Sequence, residues 1–308
     1  MNFLNLISQG SIDRINPGFF PDHGEKWMAW DWHVQALAIP GFLLCIFFFV
    51  LGVKFRYNKK AANTTLFSIG LFLVFFELYK QICYNYMRGF NLINGYTWDI
   101  FPWQLCSIPM YIALIMPFIK KDSRRDVLIA YMAVFGMIGG FAALFFNQGN
   151  LFSWGDVGIY VHTIVWHLVL MMLGFFSIGY LSIGKGSYLR NISIWAKTYF
   201  ILVIFSFIAE FINAIIPAIY GADSAAAMNT NMWYFSMVYE PPVMILRDIW
   251  NLDPGPTGYG WILAYLIYIF ALGLADMIII NIYYFIYKAF SFAQFKRKLR
   301  NLEIGKNL

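Results

Sequence analysis

Residues 158–171 read GIYVHTIVWHLVLM, an apolar run that carries two histidines, His162 and His167, five positions apart. Imidazole is costly in hydrocarbon, so a histidine within a stretch apolar enough to cross a bilayer is by default a hint of function. What these histidines do depends on what surrounds them.

The whole chain resembles this run. Of its 308 residues, 60% are hydrophobic, 20% aromatic and only 12% charged, a composition that fits no soluble domain of this length. A hydrocarbon core of about 30 Å is crossed by about 20 apolar residues in helical form. Seven such spans are predicted, at 34–53, 62–84, 101–119, 126–146, 159–183, 194–217 and 259–287. Backbone facing lipid has to bond within its own segment, so all are expected to be helical. The expected fold class is an all-α polytopic membrane helix bundle of seven transmembrane helices, multi-pass in the cell membrane.

Basic residues set the orientation. They cluster in KFRYNKK after the first span, KKDSRR after the third, KGSYLR after the fifth and FKRKLRNLEIGKNL at the end, so with seven spans every cluster falls on one side. The positive-inside rule makes that side cytoplasmic, with the N-terminus outside and the C-terminus inside. The formal net charge of +6 is then a topology signal with anionic headgroups as counterions. Membrane lipids are the expected partners; no nucleic-acid motif is present, and nothing points to a particular protein partner.

Three regions are expected: an exterior N-terminal cap at 1–33, the transmembrane domain at 34–289, and a basic cytoplasmic tail at 290–308. The cap has no basic region followed by an apolar one, so no cleaved signal peptide is read. Trp27, Trp30, Trp32, Trp98, Trp103, Trp154 and Trp261 lie near predicted outer ends, as an interfacial belt would. The connection 218–258 is long, and its stretch MWYFSMVYEPPVMILRDIW is too aromatic for a solvated linker, so it is expected to fold back as a re-entrant or interfacial segment. No internal repeat supports an inverted-repeat transporter. In the fourth span, Gly136 and Gly140 stand four apart, a spacing for close helix packing.

Polar residues gather at one depth. Glu77, Lys80 and Gln81 share a face in the outer half of the second span, and Ser206, Glu210 and Asn213 do so in the outer half of the sixth. The third span enters from outside through FPWQLCSIPM, with Gln104, Cys106 and Ser107 near its start, and the fifth brings in His162 and His167. Four spans converging in this way predict an outward-facing polar cavity; the plainer alternative is that Glu77, Lys80 and Glu210 neutralise one another as buried glue. Asp276 falls in the inner half of the last span, apart from this group, where it would bond a neighbouring helix.

The chemistry open to such a cavity is limited. On a helix the two histidines point about 140° apart, so a shared metal is not expected, and no cofactor motif is present. Cys45, Cys83 and Cys106 show no CxxC spacing, although Cys83 and Cys106 share the outer half and a disulfide between them is open. A cysteine with a histidine is also the minimum set for acyl transfer, in which imidazole takes the thiol proton and the thiolate attacks an ester. Pro109, placed in a helix, would free the carbonyl of Leu105 beside Cys106.

FPWQLCSIPM, WHLVLMMLGFF and NTNMWYFSMVYEPPVMILRDIWNLDPGPTGYG together resemble the YwaF-like bacterial integral membrane proteins, which are similar to eukaryotic transmembrane protein 164, a phospholipid acyltransferase using a Cys and a His. The resemblance implies a catalytic role for His167, with His162 in support. It also shows a departure. The eukaryotic Cys and the His after it correspond to Trp103 and Gln104 here, so Cys106 is left as the candidate nucleophile.

Two functional classes follow. One is a membrane-embedded acyltransferase with Cys106 as nucleophile, His167 as base, and Glu210 or Glu77 orienting the imidazole. The other is a binding protein or permease that holds a small polar or cationic ligand among Glu77, Lys80, Gln104, His162, Glu210 and Asn213 without a covalent step.

Overall fold

The structure, a computed structural model, describes residues 32–87, 101–145, 157–182, 192–221 and 259–304, together with Met232, Ile249 and Leu252. The expected N-terminal cap to residue 31 and most of the 218–258 connection lie outside the described residues, as do Trp98 and Trp154.

Eight α-helices carry the described chain: α1 (Trp32–Phe55), α2 (Lys59–Met87), α3 (Ile108–Ile115), α4 (Asp122–Tyr131), α5 (Met137–Phe145), α6 (Val157–Ser182), α7 (Ile192–Tyr220) and α8 (Tyr259–Ile304). A 3₁₀ turn at Met116–Phe118 extends α3, and a π turn at Met132–Gly136 joins α4 to α5. Strands are absent among the described residues. Among the described residues four stretches, Lys59–Ile82, Val161–Leu181, Ser193–Tyr220 and Gly260–Phe285, are long and apolar enough to cross a membrane.

The helices expose large apolar side chains, and several of their polar side chains are buried within an otherwise apolar core. On α7, Phe200, Ile204, Phe207, Phe211, Ile215 and Ile219 are exposed along one face, while Thr198, Ser206 and Asn213 are fully buried on the other. On α2, Leu71, Phe75, Leu78 and Ile82 face out, and Leu66, Leu73 and Glu77 face in. This arrangement is what burial of polar groups away from hydrocarbon demands.

The central helix is α6, which packs against α1, α2, α4, α5 and α8. Its closest neighbours meet it through glycine. A side chain at Gly52 of α1 would run into the Phe176 carbonyl, and one at Gly179 would run into the Phe49 carbonyl, so the two backbones approach reciprocally. Gly136 sits against the Leu170 carbonyl and Gly174, so it serves close helix packing, as its spacing from Gly140 suggests.

The basic clusters KFRYNKK and KKDSRR meet at one end of the bundle. Lys59 pairs with Asp122 at 2.7 Å and donates to the Lys120 carbonyl. Arg125 is not a loop residue but lies buried in the first turns of α4. Its Nε donates to Asn63 of α2 (3.0 Å), its Nη1 donates to the Tyr180 hydroxyl of α6 (2.6 Å), and its guanidinium lies 4.9 Å from the centroid of that ring. Three helices are thereby tied at the same end.

Two expected segments differ. Residues 101–119 hold only 8 residues of α-helix, about 12 Å of rise. The prolines explain this: Phe101–Ser107 forms turns after Pro102, Pro109 occupies the first turn of α3, and Pro117 lies in the 3₁₀ turn. Pro109 therefore removes no bond from a helix interior. The tail expected from residue 290 instead continues α8, which runs unbroken for 46 residues through a sequence without Gly or Pro from Lys288 to Ile304.

Candidate active site

The turns at Phe101–Ser107 set Cys106 just ahead of α3. Their backbone is satisfied locally, with Trp103 N–H donating to the Phe101 carbonyl (2.7 Å) and Ser107 N–H to that of Gln104 (2.8 Å). Trp103 and Gln104 are half-buried here, as is Cys106. Trp103 is packed as structure: its ring lies 5.8 Å from both Tyr111 and Phe205, and its Nε1 donates to the Phe205 carbonyl at 3.4 Å. Cys106 is a free thiol, and the side chain of Cys83, the other half of the disulfide left open by the sequence, lies outside the described residues.

Cys106 and His167 meet consecutive residues of α5. A methyl group placed on Gly139 would sit 3.4 Å from Cys106 Cβ, and one on Gly140 would sit 2.5 Å from the His167 carbonyl oxygen. The glycine pair thus brings the turn bearing Cys106 and the middle of α6 onto one stretch of α5.

The two histidines have different surroundings. His162 is sandwiched by aromatic rings, with centroids 5.7 Å from Phe76, 6.4 Å from Tyr79 and 5.5 Å from Trp166, and its Nε2 is buried without a hydrogen-bond partner among the described residues. His167 places Nδ1 2.7 Å from the Thr163 carbonyl oxygen. A carbonyl only accepts, so the proton sits on Nδ1 and the lone pair of the neutral ring on Nε2. This orienting group was not legible in the sequence, because a main-chain carbonyl leaves no residue signature.

Glu77 and Lys80 form a buried pair at 2.7 Å, and Gln81 donates to the same Glu77 oxygen at 2.6 Å. The Lys80 charge reaches Cys106, His162 and His167 alike. Glu77 bonds to Lys80 rather than to the imidazole.

A second polar group forms on α7. Glu210 accepts from Asn213 at 3.2 Å, and Asn213 clasps the backbone of Met232, accepting from its N–H (2.7 Å) and donating to its carbonyl (3.2 Å). The 218–258 connection therefore turns back onto the bundle at Met232. Ser206 accepts from the Tyr265 hydroxyl at 2.8 Å. Glu210 makes its contacts here, so neither carboxylate named from sequence as an orienter of His167 bonds to it in the structure.

Two cavities lined by described residues lie away from Cys106 and His167. One of about 590 Å³ opens between α7 and α8, and one of about 520 Å³ is lined by Lys59, Lys60, Asn63, Thr64, Phe67 and Pro117. Among the described residues no group of three or more His, Cys, Asp or Glu side chains is placed to hold a metal ion.

No protein-family model, curated protein or solved structure matches the chain, so the resemblance to YwaF-like proteins rests on its short motifs.

Proposed function

We propose that the chain is a multi-pass cell-membrane protein of seven spans, N-terminus outside and C-terminus inside, which transfers acyl groups of membrane lipids through Cys106 and His167. The observation that carries this reading is the packing of Cys106 Cβ and of the His167 main-chain carbonyl against the consecutive glycines of α5, with both groups within electrostatic reach of Lys80. The broken third segment supports it as well, since irregular backbone at membrane depth is tolerated only where protein or a water-filled cavity covers it.

In this mechanism His167 Nε2 takes the proton of Cys106 Sγ, and the thiolate attacks the ester carbonyl of a phospholipid. An S–C bond forms and the ester C–O bond breaks; the imidazolium returns its proton to the departing glycerol oxygen. A hydroxyl acceptor or water, deprotonated by His167, then releases the acyl group and restores the thiol. Lys80 stabilises the negative charge on sulfur and on the carbonyl oxygen.

Thiol labelling in membranes, followed by mass spectrometry of the lipids, tests the reading. Wild-type protein is expected to label at Cys106 and to move acyl chains between lipids, and Cys106→Ser to do neither. Acyl transfer that survives Cys106→Ala would exclude this nucleophile.

A further inference from the structure

The cavity between α7 and α8 shares no lining residue with the Cys106–His167 site. Trp195 and Tyr199 of α7 form one wall, and Phe270, Asp276 and Tyr284 of α8 form the other. At about 590 Å³ it lies within the range of small-molecule sites, which are mostly apolar with a few placed polar groups. Its mouth faces the lipid side, because Phe270, Leu274 and Met277 are 62, 45 and 54% exposed on the outward face of α8.

Asp276 is the single charged residue in this lining, yet it is 1% exposed. Its Oδ1 is buried with no hydrogen-bond partner among the described residues, so the bond to a neighbouring helix expected from sequence is not made at that oxygen. The hydroxyl of Tyr131, on α4 and within electrostatic reach of Asp276, is likewise buried without a partner. The nearest basic side chain described on α8 is Lys288, three turns further on and occupied over the face of Tyr284 at 5.3 Å. An orphaned carboxyl in a dry site is costly unless a cation or a proton joins it. Aromatic faces around such a carboxylate are the recognition chemistry of organic cations. Gly273 lets the walls close, since a methyl group there would meet the Tyr199 ring at 2.6 Å.

We propose that this cavity binds a lipophilic organic cation, an amine or quaternary ammonium amphiphile that enters from the lipid phase, with Asp276 as its counter-ion and the rings of Trp195 and Tyr199 as its cage. The positive head sits at Asp276 and the apolar part lies toward Phe270 and Leu274.

Binding of radiolabelled tetraphenylphosphonium to the full chain in lipid nanodiscs tests this, with empty nanodiscs subtracted and the isosteric anion tetraphenylborate as the charge control. Saturable binding is expected, displaced by tetrapentylammonium and not by tetraphenylborate. Asp276→Asn is expected to weaken it at least tenfold. Tyr199→Leu, which keeps the carboxylate, is expected to weaken it several-fold and decides the matter should Asp276→Asn fail to fold. Cys106→Ser is expected to bind as wild type does, which separates this site from the acyl-transfer reading. Absence of saturable binding, equal binding by Tyr199→Leu and folded Asp276→Asn, or equal competition by the anion would overturn the proposal.

Discussion

His167 Nδ1 lies 2.7 Å from the carbonyl oxygen of Thr163, one turn earlier on α6, so main chain rather than a carboxylate orients the candidate base. His162, five residues before it, is stacked among Phe76, Tyr79 and Trp166 instead. In the proposed mechanism the thiolate fraction of Cys106 depends on the His167 imidazole. Alkylation of Cys106 by a membrane-permeant maleimide is expected to slow by roughly tenfold in His167→Ala, about 1.4 kcal/mol in barrier, and to change little in His162→Ala. Equal slow rates in all three proteins would leave Cys106 a structural thiol.

Two ion pairs of identical length separate burial from distance. Lys80–Glu77 and Lys59–Asp122 both measure 2.7 Å, but the first side chains are 16 and 7% exposed and the second 44 and 71%. Removing one partner of a buried pair strands the other charge, at a cost of about 3–5 kcal/mol, whereas exposed pairs contribute about 0–1 kcal/mol. Lys80→Met is therefore expected to lower the unfolding temperature strongly in nanodiscs, Lys80→Met with Glu77→Leu to recover much of it, and Lys59→Ala to be close to neutral.

The clasp of Asn213 on Met232 should be measurable through the connection it holds. Asn213→Ala leaves the Met232 N–H and carbonyl unpaired, at about 1–3 kcal/mol for each group that stays buried. Limited proteolysis is expected to cut within residues 218–258 faster in this variant than in the wild type.

The approach of α1 to α6 leaves no room for a methyl group. Gly179→Ala is expected to destabilise by about 1–3 kcal/mol or more through backbone displacement. Gly221→Ala is the control: its neighbourhood is open, and its φ of 87° alone costs about 1 kcal/mol. Thermal unfolding of both variants distinguishes packing from backbone strain.

Orientation is tested with single cysteines in a Cys-free background. Positions in KKDSRR are expected to resist an impermeant thiol reagent added to intact cells and to react after permeabilisation. Reaction from outside would reverse the proposed topology, and with it the side from which Cys106 is reached.

Much of this arrangement was legible because long apolar runs and a 3.6-residue period leave strong signatures. Glu77, Lys80 and Gln81 share a face, and Ser206, Glu210 and Asn213 share another, as their spacing implies. The partition of these groups was not legible, since it depends on which helices lie side by side: Asn213 bonds to Met232 and to Glu210, while Glu77 bonds to Lys80 and Gln81. A count of lysines and arginines places Arg125 in a basic cluster because it reports the side of the membrane and not burial. Pro102, Pro109 and Pro117 carried the signal for a broken third segment, but its hydropathy resembled that of the intact spans. Asp276 stands out in the sequence as a lone acid in the last apolar run, and the cavity around it appears only when α7 is set against α8.

The length of α8 gives the Asp276 cavity a mechanical output. The helix continues for 28 residues beyond Asp276 to Ile304, about 42 Å of rise, and so acts as a lever with its short arm in the bilayer. A guest that wedged α8 away from α7 by about 10° would swing the far end by about 7 Å. That end carries the basic stretch FKRKLR, so occupancy of a lipid-facing cavity would be read out as movement of a cluster of positive charges relative to the membrane surface.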